Sequence, residues 1–395
     1  MEIFAVTAPG LESIAAGELK SLGAKGSQEA GGVAFTGDNR LLYLANLHLR
    51  TPSRVIVRLG RFHASTFYEL ERRAKKIPWE NFLATNNAVD VRVTCRKSRL
   101  YHSDAVAERV VAAMSEVRSG VRLIGPTSEE ETDTATDVPS DVQRFVVRIV
   151  NDQCEISADS SGELLHRRGY RQEIAKAPLR ETLAAAMILA SGWRPDAPLL
   201  DPMCGSGTIP IEAAMIGRRI APGLRRNFQF MRWPNFDAPL WKEMLARAEV
   251  EIRTPRHGSA ILGADRDEGA IAAAMRNAQR AGVDTDIEFA TRAVSASLDA
   301  IVTTQTQEGW VLTNPPYGVR VKENGDLRNL YAKVGSATQA KGWRLGILTD
   351  DPRLARHAGA PLRVRFDTKN GGIPVSFLAS EKTGKTTSDP PDSKR

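Results

Sequence analysis

The chain has 395 residues, 42% of them hydrophobic and 26% charged, with a formal net charge of +7. That is the make-up of a soluble globular protein of two or three domains, and no apolar run approaches the ~20 residues that span a bilayer. Three scattered cysteines (Cys95, Cys154, Cys204) and six scattered histidines offer neither a disulfide framework nor zinc spacing, so no metal is expected.

Along the chain, Ile3–Val6 reads as a strand and Pro9-Gly10 as a turn. Apolar positions at Leu11, Ile14, Ala15, Leu19 and Leu22 have a helical period that ends at Gly23. The same patterns predict a helix near Thr66–Lys76, a strand at Val89–Thr94 and a helix at Ser103–Val117. Residues 125–140, with three consecutive Glu between prolines, read as a solvated loop. Strands are expected at Gln143–Val150 and Glu155–Ala158. The start, Met1-Glu2-Ile3-Phe4-Ala5, lacks a basic and apolar leader, so a cytoplasmic location is expected.

From about residue 160 strands and helices alternate. Strands are expected at Leu199–Asp201, Ala260–Ala264, Asp286–Ala290, Trp310–Thr313, Arg344–Thr349, Val364–Asp367 and Val375–Ala379, and helices at Ile209–Ile216 and Glu268–Ala281. Such alternation gives an α/β fold, a mainly parallel, doubly wound, Rossmann-like sheet with helices on both faces. Residues 381–395 are nearly devoid of apolar side chains and read as a disordered tail.

Three segments carry chemistry. In Leu199-Leu200-Asp201-Pro202-Met203-Cys204-Gly205-Ser206-Gly207-Thr208 an apolar strand ends in an acid and turns through two glycines into a helix. Glycines let a backbone approach a ligand, and nucleotide-like ligands sit at the carboxyl ends of such strands. Gly-x-Gly alone would also fit a dinucleotide enzyme or a plain strand-to-helix turn. Gly263-Ala264-Asp265-Arg266-Asp267 follows the next strand; Asp265 there can accept both hydroxyls of a ribose, or cap the following helix, a task Asp267 could serve instead. In Val311-Leu312-Thr313-Asn314-Pro315-Pro316-Tyr317-Gly318 two prolines stiffen a loop at a strand end. The Asn amide oxygen and the carbonyls are acceptors, and the Tyr ring is a stacking platform, which suits an amine on a planar base.

Together these segments resemble the class I S-adenosylmethionine-dependent methyltransferases that modify amino groups. More narrowly, the chain resembles the RNA guanine-N2 methyltransferases that carry a THUMP domain, in particular those of the large ribosomal subunit. Glu212-Ala213-Ala214, the stretch from Gly162 to Arg171, Ala177-Pro178-Leu179-Arg180-Glu181-Thr182-Leu183-Ala184, and the insertion from Ala221-Pro222-Gly223-Leu224 to Trp233 carry that likeness, as does the opening Ala8-Pro9-Gly10-Leu11-Glu12.

The resemblance implies a ferredoxin-like piece over residues 1–55, a THUMP-like α+β RNA-binding domain over 56–160 and a methyltransferase domain over 161–380. It implies S-adenosylmethionine as cofactor, with Asp201, Pro202, Cys204, Gly205, Ser206, Gly207 and Thr208 around its methionine end and Asp265 and Arg266 at its ribose. Asn314 and Pro315 would accept hydrogen bonds from the target amine, Asn314 also bordering the cofactor, and Tyr317 would stack on the flipped base. The family's acidic residue after the third strand is replaced here by Ala293. RNA would be gripped by Arg92, Arg96, Lys97 and Arg99, and by a second group, Arg218, Arg219, Arg225, Arg226 and Arg232, with Phe228, Phe230 and Trp233 interleaved; either set could instead be a solvated face. Arg167, Arg168 and Arg171 are further candidates.

The expected function is methylation of guanosine N2 in structured RNA, 23S rRNA first and tRNA second, by a monomer with no membrane partner. The alternatives are a DNA adenine-N6 or protein-glutamine methyltransferase, which share Asn-Pro-Pro-Tyr, and a non-catalytic RNA-binding relative, suggested by Ala293.

Overall fold

The computed structural model describes residues 1–124, 141–173, 179–254, 261–303, 308–316 and 327–381. The loop expected at 125–140, and the tail from residue 382, lie outside the described residues. Among them no helix is long and apolar enough to cross a membrane.

The N-terminal half runs β1 (Glu2–Val6), α1 (Glu12–Ser21), β2 (Gly26–Glu29), β3 (Gly32–Thr36), α2 (Asn39–His48), β4 (Arg54–His63), α3 (Phe67–Ala74), β5 (Ala88–Arg96), α4 (Ser103–Val117), β6 (Arg122–Leu123), β7 (Val142–Val150) and β8 (Gln153–Asp159). Its strands form one sheet in the order β2-β3-β1-β4-β8-β7-β5-β6. β4 pairs antiparallel with β1 on one side and β8 on the other, so the ferredoxin-like piece and the THUMP-like part share a continuous sheet. Local chemistry sets the helices on it. Thr66 caps α3, its hydroxyl accepting from the Glu69 amide while Glu69 reaches back to the Thr66 amide. α4 buries Val106, Ala107, Val110, Ala113 and Met114, the face expected from its period.

The C-terminal half runs α5 (Glu181–Ser191), β9 (Leu199–Asp201), α6 (Thr208–Gly217), α7 (Ala238–Val250), β10 (Ile261–Asp265), α8 (Glu268–Ala281), β11 (Ile287–Thr291), α9 (Val294–Thr303), β12 (Trp310–Thr313), α10 (Leu327–Ala340), β13 (Arg344–Thr349), β14 (Leu362–Asn370) and β15 (Ile373–Ser380). The sheet order is β11-β10-β9-β12-β13-β15-β14. β9 to β13 pair in parallel and β15 runs antiparallel between its neighbours, the doubly wound arrangement expected with one reversed strand. The order reverses at β9, between β10 and β12, and ligands of such sheets bind outside the carboxyl ends at that point.

The two halves interlock. Gly10 turns with φ +87°, and a Cβ there would lie 2.0 Å from the carbonyl oxygen of Asp367 in β14, so only glycine fits where this turn meets the second sheet. Leu11 then packs in the core around β9 and β12. In return the insertion ahead of α7 fills the N-terminal core: Phe230 stacks on Tyr43 of α2 at 4.3 Å, and Trp233 meets Phe82 edge-on at 4.9 Å. The Trp233 indole donates to Gln143 Oε1 at 2.7 Å.

Candidate active site

β9 delivers Asp201 to the switch point, where it is 1% exposed. Burial pushes its carboxyl up to about 7, against the hydrogen bonds that Met203 N–H and the Thr313 hydroxyl donate to it. The Thr313 bond, 2.9 Å long, ties the end of β12 to the end of β9 and so fixes Asn314 relative to the glycine loop. In that loop Gly205 and Gly207 have φ of 53° and 84°, in the left-handed region that favours glycine. Space demands glycine as well: a Cβ on Gly207 would sit 2.9 Å from Ala274 Cβ and 3.1 Å from the Phe289 ring.

Asp265 ends β10 facing the same loop. Its carboxylate accepts from Gly205 N–H at 3.0 Å and from Asp267 N–H at 3.1 Å. The helix cap is Asp267, which accepts from Ala270 N–H, so Asp265 is left to the loop and to a ligand. Two carboxylate oxygens offer about four acceptor positions, which leaves room for ribose hydroxyls. Arg266 is exposed beside it. Pro202, Cys204 and Ser206 within the loop and Thr208 at the start of α6 are buried. Burial raises the Cys204 thiol well above its ordinary range, so it is neutral packing, with its sulfur 3.3 Å from where a Gly263 Cβ would stand. α6 begins at Gly207 with no side-chain cap, which leaves its first amides to be met by an anion.

Asn314 follows β12 directly. Its Oδ1 is buried and has no hydrogen-bond partner. A buried amide oxygen left unpaired costs roughly 1–3 kcal/mol, so this orphan marks a place where a donor belongs. Pro315 is buried and Pro316 exposed beyond it; Tyr317 lies outside the described residues. Ala293 precedes α9 and is exposed, its carbonyl accepting from the Ser297 amide and hydroxyl; it offers a methyl group where an acid is expected.

Local patterns missed a brace behind the loop. Asn277 of α8, fully buried, donates to the Ser206 and Glu173 carbonyls. Glu173 receives Arg276 and Arg280 from the same helix, and those guanidiniums hold its carboxyl down at about 2. The signal was an Asn and two Arg on one face of α8, without the partner that a separate segment supplies.

The RNA candidates divide. Arg96 at the end of β5 is exposed, as are Lys97 and Arg99 beyond it, whereas Arg92 pairs with Asp90 at 2.9 Å. Arg225 donates to the Arg280 carbonyl at 2.6 Å, and Arg226 to the Glu163 and Leu164 carbonyls at 2.8 and 2.9 Å. Arg218 pairs with Asp286 at 2.9 Å. Phe228, Phe230 and Trp233 are buried, leaving no ring of that segment free to stack on a base. Arg168 is buried against Glu212 at 2.6 Å, with the Tyr170 hydroxyl donating to the same carboxylate, and Arg171 pairs with Glu181 at 3.1 Å; these side chains join elements of the fold.

The chain matches three family models: an RlmL ferredoxin-like domain over residues 2–56, a THUMP domain over 64–128 and an RMKL-like methyltransferase domain over 168–376. It is 34% identical to a protein of Synechocystis sp. provisionally named an RNA methyltransferase, over 96% of each chain. It is 35% identical to the ribosomal RNA large subunit methyltransferase K/L of Syntrophotalea carbinolica over 96% of this chain, and spans 53% of the length of that relative. The crystal structure of SMU.472 complexed with SAH superposes with a TM-score of 0.81 at 29% identity, covering 97% of this chain and 99% of that one. A Listeria monocytogenes structure provisionally named an N6-adenine-specific DNA methylase superposes with a TM-score of 0.79 at 32% identity, over 96% of each chain. On these matches the chain belongs to the RMKL-like methyltransferase family, with RlmL-type ferredoxin-like and THUMP units ahead of the catalytic domain.

Proposed function

We propose that the chain transfers a methyl group from S-adenosylmethionine to the exocyclic N2 of a guanosine in large-subunit ribosomal RNA. The observation that carries this reading is the unpartnered, buried Oδ1 of Asn314 at the switch point of the sheet. The THUMP match and the relatives named for RNA methylation support RNA over DNA or protein. We further read residues 1–55, 56–160 and 161–380 as the ferredoxin-like, THUMP and methyltransferase units.

The residues present fit the cofactor, and SMU.472 holds its demethylated product. Gly205, Ser206, Gly207 and Thr208 would cradle the methionine end, with the uncapped start of α6 meeting its carboxylate. Asp201 holds the loop through Met203 and Thr313, while Asp265 and Arg266 would border the ribose. When bound, S-adenosylmethionine supplies an electrophilic methyl carbon. Asn314 Oδ1 and the Pro315 carbonyl accept the two amine hydrogens. Holding both draws the nitrogen lone pair out of conjugation with the ring and points it at the methyl group. Tyr317, by family resemblance, stacks on the base after it leaves the helix. Positioning and fixed acceptors supply the rate; no side chain needs to take a proton before attack.

The test is transfer of labelled methyl groups to unmodified RNA separated into large-subunit, small-subunit and transfer fractions, with nucleoside analysis. We expect N2-methylguanosine in the large-subunit fraction, and a fall of about 10²–10³ in kcat for Asn314→Ala with cofactor affinity retained. Label only in transfer RNA would move the substrate. No label, with no cofactor binding by calorimetry, would overturn the enzyme reading.

A further inference from the structure

Among the described tyrosine, phenylalanine and tryptophan residues, two are exposed: Tyr68, 73% exposed with the Arg72 guanidinium 5.7 Å from its ring centre, and Tyr101, 69% exposed with the His102 ring 4.1 Å from its own. Both belong to the THUMP match, and both lie at the same end of it. α3 and α4 run side by side in the same direction, since Glu71 meets Arg109 while Lys75, one turn on, meets Glu116. Tyr68 stands in the first turn of α3 and Tyr101 just ahead of α4. Side chains on a helix lean toward its N-terminus, so Tyr68 leans toward the end where Tyr101 sits.

The turn between β7 and β8 braces that end. Asp152 receives Arg99 N–H on its carboxylate and Ala64 N–H on its carbonyl, and Asn151 N–H donates to the Arg96 carbonyl. The segments leading into both helices are therefore pinned to one turn, with Arg96, Lys97 and Arg99 exposed between them. The acid in the first turn of α3, Glu69, is spent on Ser65 and Thr66; Asp104, in the first turn of α4, is exposed.

We propose that this end of the THUMP unit is a stacking platform for unpaired nucleotides of the RNA substrate. Single exposed apolar side chains are ordinary, but two rings and three cations at one end of the unit are the combination that binds single strands: every base has a face to stack, and the cations follow the phosphates. A duplex hides its base faces, so the platform discriminates against it. The inference rests on RNA being the substrate and adds which kind of RNA the THUMP unit grips.

The test is fluorescence anisotropy of the full chain with an unstructured single-stranded RNA of about 12 nucleotides and with a blunt duplex of the same length. We expect the parent to favour the single strand. Tyr68→Ala and Tyr101→Ala should each weaken it about tenfold, while Tyr68→Phe with Tyr101→Phe should stay near the parent, because the ring face and not the hydroxyl binds. Duplex affinity should not change. Alanine variants equal to the parent, or phenylalanine variants as weak as alanine ones, would overturn the platform and leave the methyltransferase reading standing. A parent that binds neither RNA would also overturn the platform, while the methyltransferase reading is decided separately by label transfer and cofactor binding.

Discussion

Residues 92–101 and 218–233 read alike, each rich in basic side chains, with Tyr101 closing the first and Phe228, Phe230 and Trp233 set within the second. They end up as opposites. In the later segment the rings go inward, Phe230 fully buried, and the guanidiniums of Arg218, Arg225 and Arg226 are spent on Asp286 and on the carbonyls of Arg280, Glu163 and Leu164. In the earlier segment the β5 register sends Val91 and Val93 inward, Arg96 ends the strand in solvent, and Lys97, Arg99 and Tyr101 are exposed beyond it. Arginine beside aromatic residues is thus not itself a nucleic-acid signature. What decides is whether other elements cover the rings and supply acceptors for the cations.

That contrast can be broken at several points. The largest effect should come from Phe230→Ala, which empties a fully buried site between Tyr43 and Trp241 and should cost about 3–5 kcal/mol in chemical denaturation. Tyr101→Ala should stay within about 0.5 kcal/mol of the parent. Arg226→Ala should cost about 1–3 kcal/mol, because the Glu163 and Leu164 carbonyls lose their donor, while the salt dependence of RNA binding stays unchanged. Arg96→Ala should do the reverse: stability unmoved, and the slope of log affinity against log salt reduced by about 1. If the two arginine variants traded outcomes, the division of labour between the segments would be wrong.

A smaller effect concerns pH. Burial raises the Asp201 carboxyl from 3.8 to about 7, so the folded state holds a proton that the unfolded chain releases. Its contribution to stability is whole below pH 3.8 and is lost as the pH rises through about 7. His166, which burial pushes down to about 4, works in the opposite direction, adding stability as the pH rises from about 4 to 6.5. Asp201→Asn should therefore lose less stability between pH 5 and pH 8 than the parent, in urea titrations at the two values. Equal losses would mean that Asp201 is ionised throughout.

Much of the frame was legible because period and burial agree. α4 and α8 occupy the residues their apolar spacing predicts, and β12 and β13 match their apolar runs. α5 escaped notice because Glu181–Ser191 is apolar on nearly every face and buried all round, so it carries no period. The loop glycines, Asp265 and Asn314 were visible as motifs. Their supports were not: the Thr313–Asp201 bond spans 112 residues, and Asn277 reaches Ser206 across 71. Such bonds arise only after the sheet assembles, and no local pattern announces them. Arg226 misled for the same reason, since its acceptors lie more than 60 residues earlier.

The exchange of side chains between the halves bears on any attempt to divide the protein. A break near residue 160 would strip Phe230, Trp233 and Trp241 from beneath α2 and leave an oily trough in the N-terminal fragment. It would equally remove Leu11 and the Gly10 turn from the other fragment, and the Arg50 carbonyl that Arg168 donates to. Neither fragment inherits a finished interior. The two sheets should melt in one transition, and a severed catalytic piece that aggregates would report on its missing neighbour before it reported on its chemistry.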